Sequence, residues 1–476
     1  MSEWKAACMN VLAPARPKSG LMGQVHWLQV IDRAILAAET AELELSRQGG
    51  YDPSQQRKTS GSFYTPSDVA GHFWDLFFRH HRICDLEALT AFISASDLIE
   101  PSAGSGIFVF SFLRKAALLG ATPEILAGTR FHVVDVNLAA LRFFSERMRE
   151  IEDATGADFR GIEAFPKDFL DWATTSTVTG AVFVGNPPFV ANPRGARWRN
   201  LYADFMESIL AYPSLKAVSL ILPLSVCFSR DYVALRRMIM SKGMGVSASN
   251  YDNMPDCLFK VGKPDSINTN RANSQRCTII NVGGPKPGLR EATALQSWTA
   301  AQRPSLLSSI PDFRRFSAND QSGQIPRPAS DFLASYLRNS KSSRPLRTFL
   351  SKGSRPSFAV GGVARNFIGI RDYVPGIPGA IPIKPTSTEN RWIILQILSS
   401  SLFFDYWRTY GDGFHVTVDL IERFPVTEQL SGQFRSTLDR AREVWCNRGT
   451  YSKEKLNAGR VVRSYDFRKV FEEVLG

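Results

Sequence analysis

Cysteine is scarce in this chain of 476 residues. The six present, Cys8, Cys84, Cys227, Cys257, Cys277 and Cys446, stand far apart, with no CxxC pair and no Cys/His spacing of a zinc finger. That scatter argues against a disulfide framework and a structural metal site, and reads as reduced thiols in a cytoplasmic protein. Long apolar runs are missing as well. The longest, residues 217–228, falls short of the roughly 20 residues a membrane span needs, and Pro223 interrupts it. The opening MSEWKAACMNVLAPARPKSG lacks the apolar core of a secretory signal. Only six histidines occur, with no acid/base dyad among them, and adjacent His80 and His81 read as a solvated surface pair. No internal repeat is visible. At 44% hydrophobic and 21% charged residues the composition is that of a globular protein, and the length allows two or three domains.

Positive charge, by contrast, is abundant. Lys and Arg number 57 against 45 Asp and Glu, a net +12. Residues 290–476 hold 27 basic and 17 acidic residues, a surplus of ten, whereas the first 289 hold 30 and 28. A nearly neutral part is joined to a strongly basic one. Such a basic part suits a polyanion, because each cation placed on a phosphate releases a counterion; a surface charged for solubility is the plainer alternative.

Residues 26–47 carry apolar side chains at helical spacing. From about 55 to 285, β-rich runs (DLIEPSAG, RFHVVDVN, AVFVGNPP, AVSLILPL, CTIINV) alternate with helical ones (FVFSFLRKAALL, LAALRFFSERMREI, LYADFMESILAY, DYVALRRMIM). That alternation predicts a largely parallel sheet covered on both faces, with the ligand site beyond the carboxyl ends of the strands. The GGPKPG segment near 285 reads as a linker. Residues 286–390 are rich in Pro, Ser, Arg and Gly, a buried aromatic helical segment follows, and the tail after 431 reads as helical.

Four strings fall where chemistry is expected. Glu100-Pro101-Ser102-Ala103-Gly104-Ser105-Gly106 is a glycine-rich strand-to-helix turn, but neither GxGxxG nor a P-loop. It is either a cofactor cradle or simply a tight turn. Asp135 ends the next strand, where it would accept from ribose hydroxyls or cap the helix that follows. Asp168 would accept from an adenine amino group with Phe169 packed on the ring, or be an ordinary loop residue. Gly185-Asn186-Pro187-Pro188-Phe189 is the most informative. Two prolines stiffen a loop that presents the Asn186 amide, backbone carbonyls and an aromatic face. Those groups suit a flat, amino-bearing substrate. Ahead of them, Phe63-Tyr64-Thr65-Pro66 precedes a helix start, with Thr65 or Ser67 as candidate cap.

In this order the strings resemble the gamma-type N6-adenine DNA methyltransferases, among them type I modification subunits and single-chain type II enzymes. The resemblance covers residues 55–285. It implies a Rossmann-like class I methyltransferase domain with a mostly parallel α/β sheet, followed by a C-terminal mixed α/β DNA-recognition domain. The implied division is 1–54 N-terminal helical extension, 55–288 catalytic domain, 289–430 basic target-recognition domain and 431–476 helical tail. S-adenosylmethionine is the implied cofactor, with Tyr64 and Thr65 at its methionine end. Glu100, Pro101, Ala103, Gly104 and Gly106 would line its amino-acid moiety, Asp135 its ribose, and Asp168 with Phe169 its adenine. Asn186, Pro187, Pro188 and Phe189 would hold the target base, stacked on Phe189 and Tyr232. The family often has Asp where this chain has Glu100 and Tyr where it has Phe189; both changes keep the chemical type. Double-stranded DNA would be gripped by the basic part, with Arg365, Asn366, Arg371, Arg408 and His415 as contacts. A restriction endonuclease, or a specificity subunit, would be a separate partner. Methylation of RNA bases, or of protein glutamine, uses the same Asn-Pro-Pro-aromatic string, and a silent DNA-binding subunit is a further alternative.

Overall fold

The computed structural model describes residues 22–48, 65–192, 197–259, 275–316, 323–353, 355–457 and 460–475. The chain divides into two compact units. The first comprises Met1–Ala292 and Gln296–Ile325, the second Thr293–Leu295 and Pro326–Gly476.

The first unit is built on a nine-stranded sheet. Its strands are β1 (Asp97–Glu100), β2 (Arg130–Asp135), β3 (Ile162–Pro166), β4 (Ala181–Gly185), β5 (Leu215–Pro223), β6 (Gly245–Tyr251), β7 (Cys277–Gly283), β8 (Arg290–Gln296) and β9 (Phe313–Arg315), in the order β3-β2-β1-β4-β5-β7-β6-β8-β9. Strands β1 to β5 pair in parallel, while β7 runs antiparallel between β5 and β6. The direction of winding reverses between β1 and β4, which opens a crevice at their carboxyl ends. Every residue of β4, β6 and β7 is buried. Strands covered on both faces read as unbroken apolar runs, as Ala181–Gly185 does.

Helix Ile107–Leu118 is buried almost all round. The amino-terminal helix Met22–Gln48 packs on it and on helix Leu138–Thr155 through Trp27, Val30, Ile31, Ala34 and Ala38, one apolar stripe. An Arg114–Asp32 ion pair of 2.6 Å closes that contact. The amino-terminal helix is therefore part of the core of this unit.

Three expectations need correction. The glycine- and proline-rich segment near 285 links β7 to β8 within one sheet, so the first unit extends to Ile325 and not to 288. The tail is not all helix: β15 (Ser452–Asn457) and β16 (Arg460–Tyr465) form a hairpin between helices Leu438–Cys446 and Arg468–Leu475. His80 is buried and His81 half-buried, so neither is a solvated surface residue. His80 is 5% exposed and bridges Ser247 Oγ (2.9 Å) and the Gly283 carbonyl (3.1 Å), and His81 stacks on Phe77.

In the second unit, β10 (Arg344–Pro345) pairs with β14 (Pro425–Val426). A five-stranded sheet has the order β13-β11-β12-β16-β15, with β11 at Phe358–Gly361, β12 at Ile370–Arg371 and β13 at Ala380–Ile383. Helix Thr388–Ser399, buried from Trp392 to Ser399, runs through its core. This unit is mixed α/β.

Candidate active site

Strand β1 delivers Glu100 into the crevice at 1% exposure, and the chain then turns through Pro101–Gly106. Gly104 (φ +53°) and Gly106 (φ +84°) hold left-handed conformations that side chains rarely adopt. A Cβ on Gly106 would lie 2.2 Å from the Phe144 ring, so only glycine lets helix Ile107–Leu118 start this close to its neighbour.

Asp135 closes the turn from the side. Its Oδ2 accepts the Gly104 N–H (2.8 Å) and its Oδ1 the Asn137 N–H (2.8 Å). Burial pushes its carboxyl above the usual range, against the pull of these backbone donors. The cap of helix Leu138–Thr155 is Asn137, whose Oδ1 accepts from Ala139 and Ala140, and not Asp135. Between them stands Val136, 70% exposed, which no motif in the chain singles out.

Asp168 does act as a helix cap, accepting the Leu170 N–H at 2.8 Å. Phe169 is 2% exposed and packs against Phe183 and Phe205 with ring centroids 6.0 and 4.8 Å away. Its ring belongs to the core.

Strand β4 delivers the fourth string. Gly185 has φ +132°, and a Cβ there would come within 3.3 Å of Glu100 Cγ. Asn186, 8% exposed, is pinned twice: its Nδ2 donates to Thr65 Oγ1 at 3.2 Å, and its carbonyl accepts from Ser102 Oγ at 3.0 Å. Thr65 therefore does not cap the helix it precedes. The first free amide there, Ser67 N–H, is taken by Glu39 Oε1 of the amino-terminal helix at 2.5 Å. Tyr64 lies outside the described residues.

Beyond Asn186 lies an aromatic cluster. Phe189 meets Tyr202 and Phe259 edge-on at 6.1 and 5.9 Å, and Tyr202 lies 5.5 Å from Tyr232. Tyr232 is 4% exposed, accepts from Asn200 Nδ2 at 2.6 Å, and has Trp198 at 6.0 Å. Burial pushes the Tyr202 phenol well above its ordinary ionisation, so it stays a neutral hydroxyl beside Ser225 Oγ. Ser102 was read only as part of the turn, with no contact of its own, and Trp198, Asn200 and Tyr202 went unnoticed in the sequence. Only the aromatic density of residues 198–205 pointed toward them.

The candidate DNA contacts sit in the second unit. Arg365 and Asn366 are exposed in the loop between β11 and β12, with the Asn366 carbonyl accepting from Arg468. Arg408 and His415 have internal partners, and Arg371 is enclosed. Arg371 is half-buried against Gly361, and burial lowers its guanidinium pKa. Arg408 donates to the Leu295 carbonyl at 2.9 Å, and His415 Nδ1 lies 2.5 Å from Asp412 Oδ2.

No family model and no curated protein matches the chain. Solved structures do. The Type IIL restriction-modification enzyme MmeI in complex with DNA is 13% identical over 80% of this chain and 69% of its own, with a TM-score of 0.45. A DrdV–DNA complex is 14% identical over 66% of this chain, TM-score 0.42. The methyltransferase subunit of a type I restriction-modification system from Streptococcus thermophilus is 18% identical over 55% of this chain and 58% of its own, TM-score 0.37. The chain spans only 36% of the DrdV chain.

Proposed function

We propose that this chain is a site-specific DNA adenine methyltransferase, which moves the methyl group of S-adenosylmethionine to N6 of an adenine turned out of its duplex. The observation that carries this reading is the Asn186 side chain tied to Thr65 while its own carbonyl is tied to Ser102. Three strings far apart in the chain converge on one planar polar group, with an aromatic ring three residues further on.

The crevice fits a nucleoside that bears an amino acid. The cradle at Gly104 and Gly106 admits no Cβ without strain or clash, and brings backbone close to whatever lies there. Each Asp135 oxygen already takes one backbone N–H and has a second lone pair for a ribose hydroxyl. Glu100, Pro101 and Ala103 would line the amino-acid end, Tyr64 and Thr65 the methionine end, and Asp168 the adenine end. When bound, S-adenosylmethionine supplies a methyl group activated by its sulfonium. Asn186 Oδ1 and a carbonyl of the Pro187-Pro188 turn accept the two amino hydrogens of the base and so aim the nitrogen lone pair. Phe189 stacks on one face of the base, with Tyr232 on the other. Turning the base out costs a few kcal/mol of stacking, which these contacts offset.

Arg365 and Asn366 are the contacts proposed on DNA, the first for phosphate or guanine and the second for adenine. The biological role proposed is modification within a restriction system, with a separate endonuclease or specificity subunit as partner. The test incubates the protein with tritiated S-adenosylmethionine and unmethylated genomic DNA, total RNA or cell protein, beside Asn186→Ala. Label in DNA that digests to N6-methyladenosine and vanishes in the variant is expected. Label confined to RNA or protein would overturn the substrate, and none with purified protein plus measurable cofactor binding would point to the missing subunit.

A further inference from the structure

Arg303 lies about 120 residues beyond Asn186 in sequence, in a segment that the resemblance placed in the target-recognition domain. Its side chain is 3% exposed, and its guanidinium donates four hydrogen bonds. Nε and Nη2 reach Asp68 Oδ2 and Oδ1 at 2.6 and 3.0 Å, a two-pronged clasp; Nη1 reaches the Cys257 carbonyl and Nη2 the Leu258 carbonyl, both at 2.7 Å. Fully buried Asp256 stands 3.7 Å away and accepts from Trp298 Nε1 at 3.0 Å. An arginine fork can hold a carboxylate and two carbonyls at once; a lysine ammonium cannot reproduce that geometry.

Each prong leads to the Asn186–Phe189 loop. Asp68 lies in the first turn of helix Ser67–His81, three residues after Thr65, which fixes the Asn186 amide. Leu258 precedes Phe259, whose ring meets Phe189 edge-on. We infer that Arg303 is a positioning residue for this loop, holding the Thr65 arm against Asn186 and the Phe259 arm against Phe189 with one guanidinium. The role as a catalytic aid rests on the methyl-transfer reading; the mechanical link does not. A rigid frame matters here because a misplacement of about 1 Å can cost roughly a hundredfold in rate.

The experiment uses the full-length protein and Asp68→Asn, Thr65→Val, the double variant and Arg303→Lys. Asp68→Asn keeps the shape of the side chain and the bonds from Arg303 to the two carbonyls. Single-turnover methyl transfer to DNA at saturating cofactor is read beside the melting temperature. Each single variant is expected to slow transfer about tenfold, and the double variant no further than the slower single, because both cut the same chain of contacts. Losses that multiply in the double variant would overturn the inference. Amide hydrogen exchange supplies a readout independent of activity. Arg303→Lys should speed exchange at the Asn186 and Phe189 amides, with the β2 and β3 amides unchanged. Unaltered exchange at those two amides would overturn the link even where methyl transfer is observed. Accelerated exchange in a protein that neither binds S-adenosylmethionine nor methylates any substrate would uphold the link and overturn the proposed function.

Discussion

At the scale of single residues, the glycines of the turn offer a clean comparison. Gly106 and Gly120 both have positive φ, +84° and +95°, yet a Cβ on Gly106 would strike the Phe144 ring while one on Gly120 would meet nothing within 4 Å. Gly120→Ala should therefore cost only the backbone penalty, about 1 kcal/mol. Gly106→Ala should add the cost of moving a buried ring, about 1–3 kcal/mol more. It should also weaken cofactor binding, which Gly120→Ala should not. Urea midpoints and a cofactor titration on the two variants check both statements; equal losses would mean that Phe144 yields freely. The turn and the Asn186 loop stood out as strings because glycine permits backbone conformations other residues avoid and proline fixes φ. The contact of Ser102 with the Asn186 carbonyl did not, because it bridges 84 residues and no local pattern encodes it.

At the scale of elements, helix Ser67–His81 shows what a sequence pattern conceals. Two histidines at a helix carboxyl end suit the helix dipole and look solvated, but this end is roofed by β6 and β7, which place Ser247 and the Gly283 carbonyl on His80. His72, two turns earlier, lies 2.6 Å from Tyr251 Oη. Burial, the largest influence on each, lowers His72 and His80 to about 4 and His81 well below its ordinary value. The unfolded chain then binds protons near pH 6.5 that the folded chain refuses, so stability is intact above 6.5 and falls as the pH drops toward 4. Across that window His72 and His80 contribute a loss of up to about 3 kcal/mol each. Urea midpoints at pH 7.5, 6 and 5 should fall in that order. In His80→Gln, lower overall stability should accompany a shallower fall. A midpoint that holds steady from pH 7.5 to 5 would show that these imidazoles accept protons in the fold.

At the scale of the whole molecule, the charge asymmetry was legible by counting, whereas the boundary between the units was not. Residues 290–325 have neither the long apolar runs of the central strands nor a clear alternation, yet they supply β8 and β9. Moving the boundary to 325 leaves the asymmetry in place, since residues 326–476 hold 23 basic and 14 acidic residues, a surplus of nine. Many of these cations are committed internally: Arg448 to Asp372, Arg463 to Glu454 and Arg468 to Asp466. The number that can meet phosphate is thus well below the formal count. If the basic unit grips duplex DNA, log Kd plotted against log salt should be linear, with a slope near 0.9 for each phosphate neutralised. Arg365→Ala, at an exposed position, should flatten that slope by about one such step. Arg408→Ala should leave the slope unchanged and lower the melting temperature instead, because its guanidinium holds the Leu295 carbonyl. Fluorescence anisotropy of a labelled duplex between 50 and 300 mM salt, on the parent and both variants, separates these outcomes. An unchanged slope in Arg365→Ala would remove that arginine from the interface, and a slope near zero in the parent would remove the duplex itself.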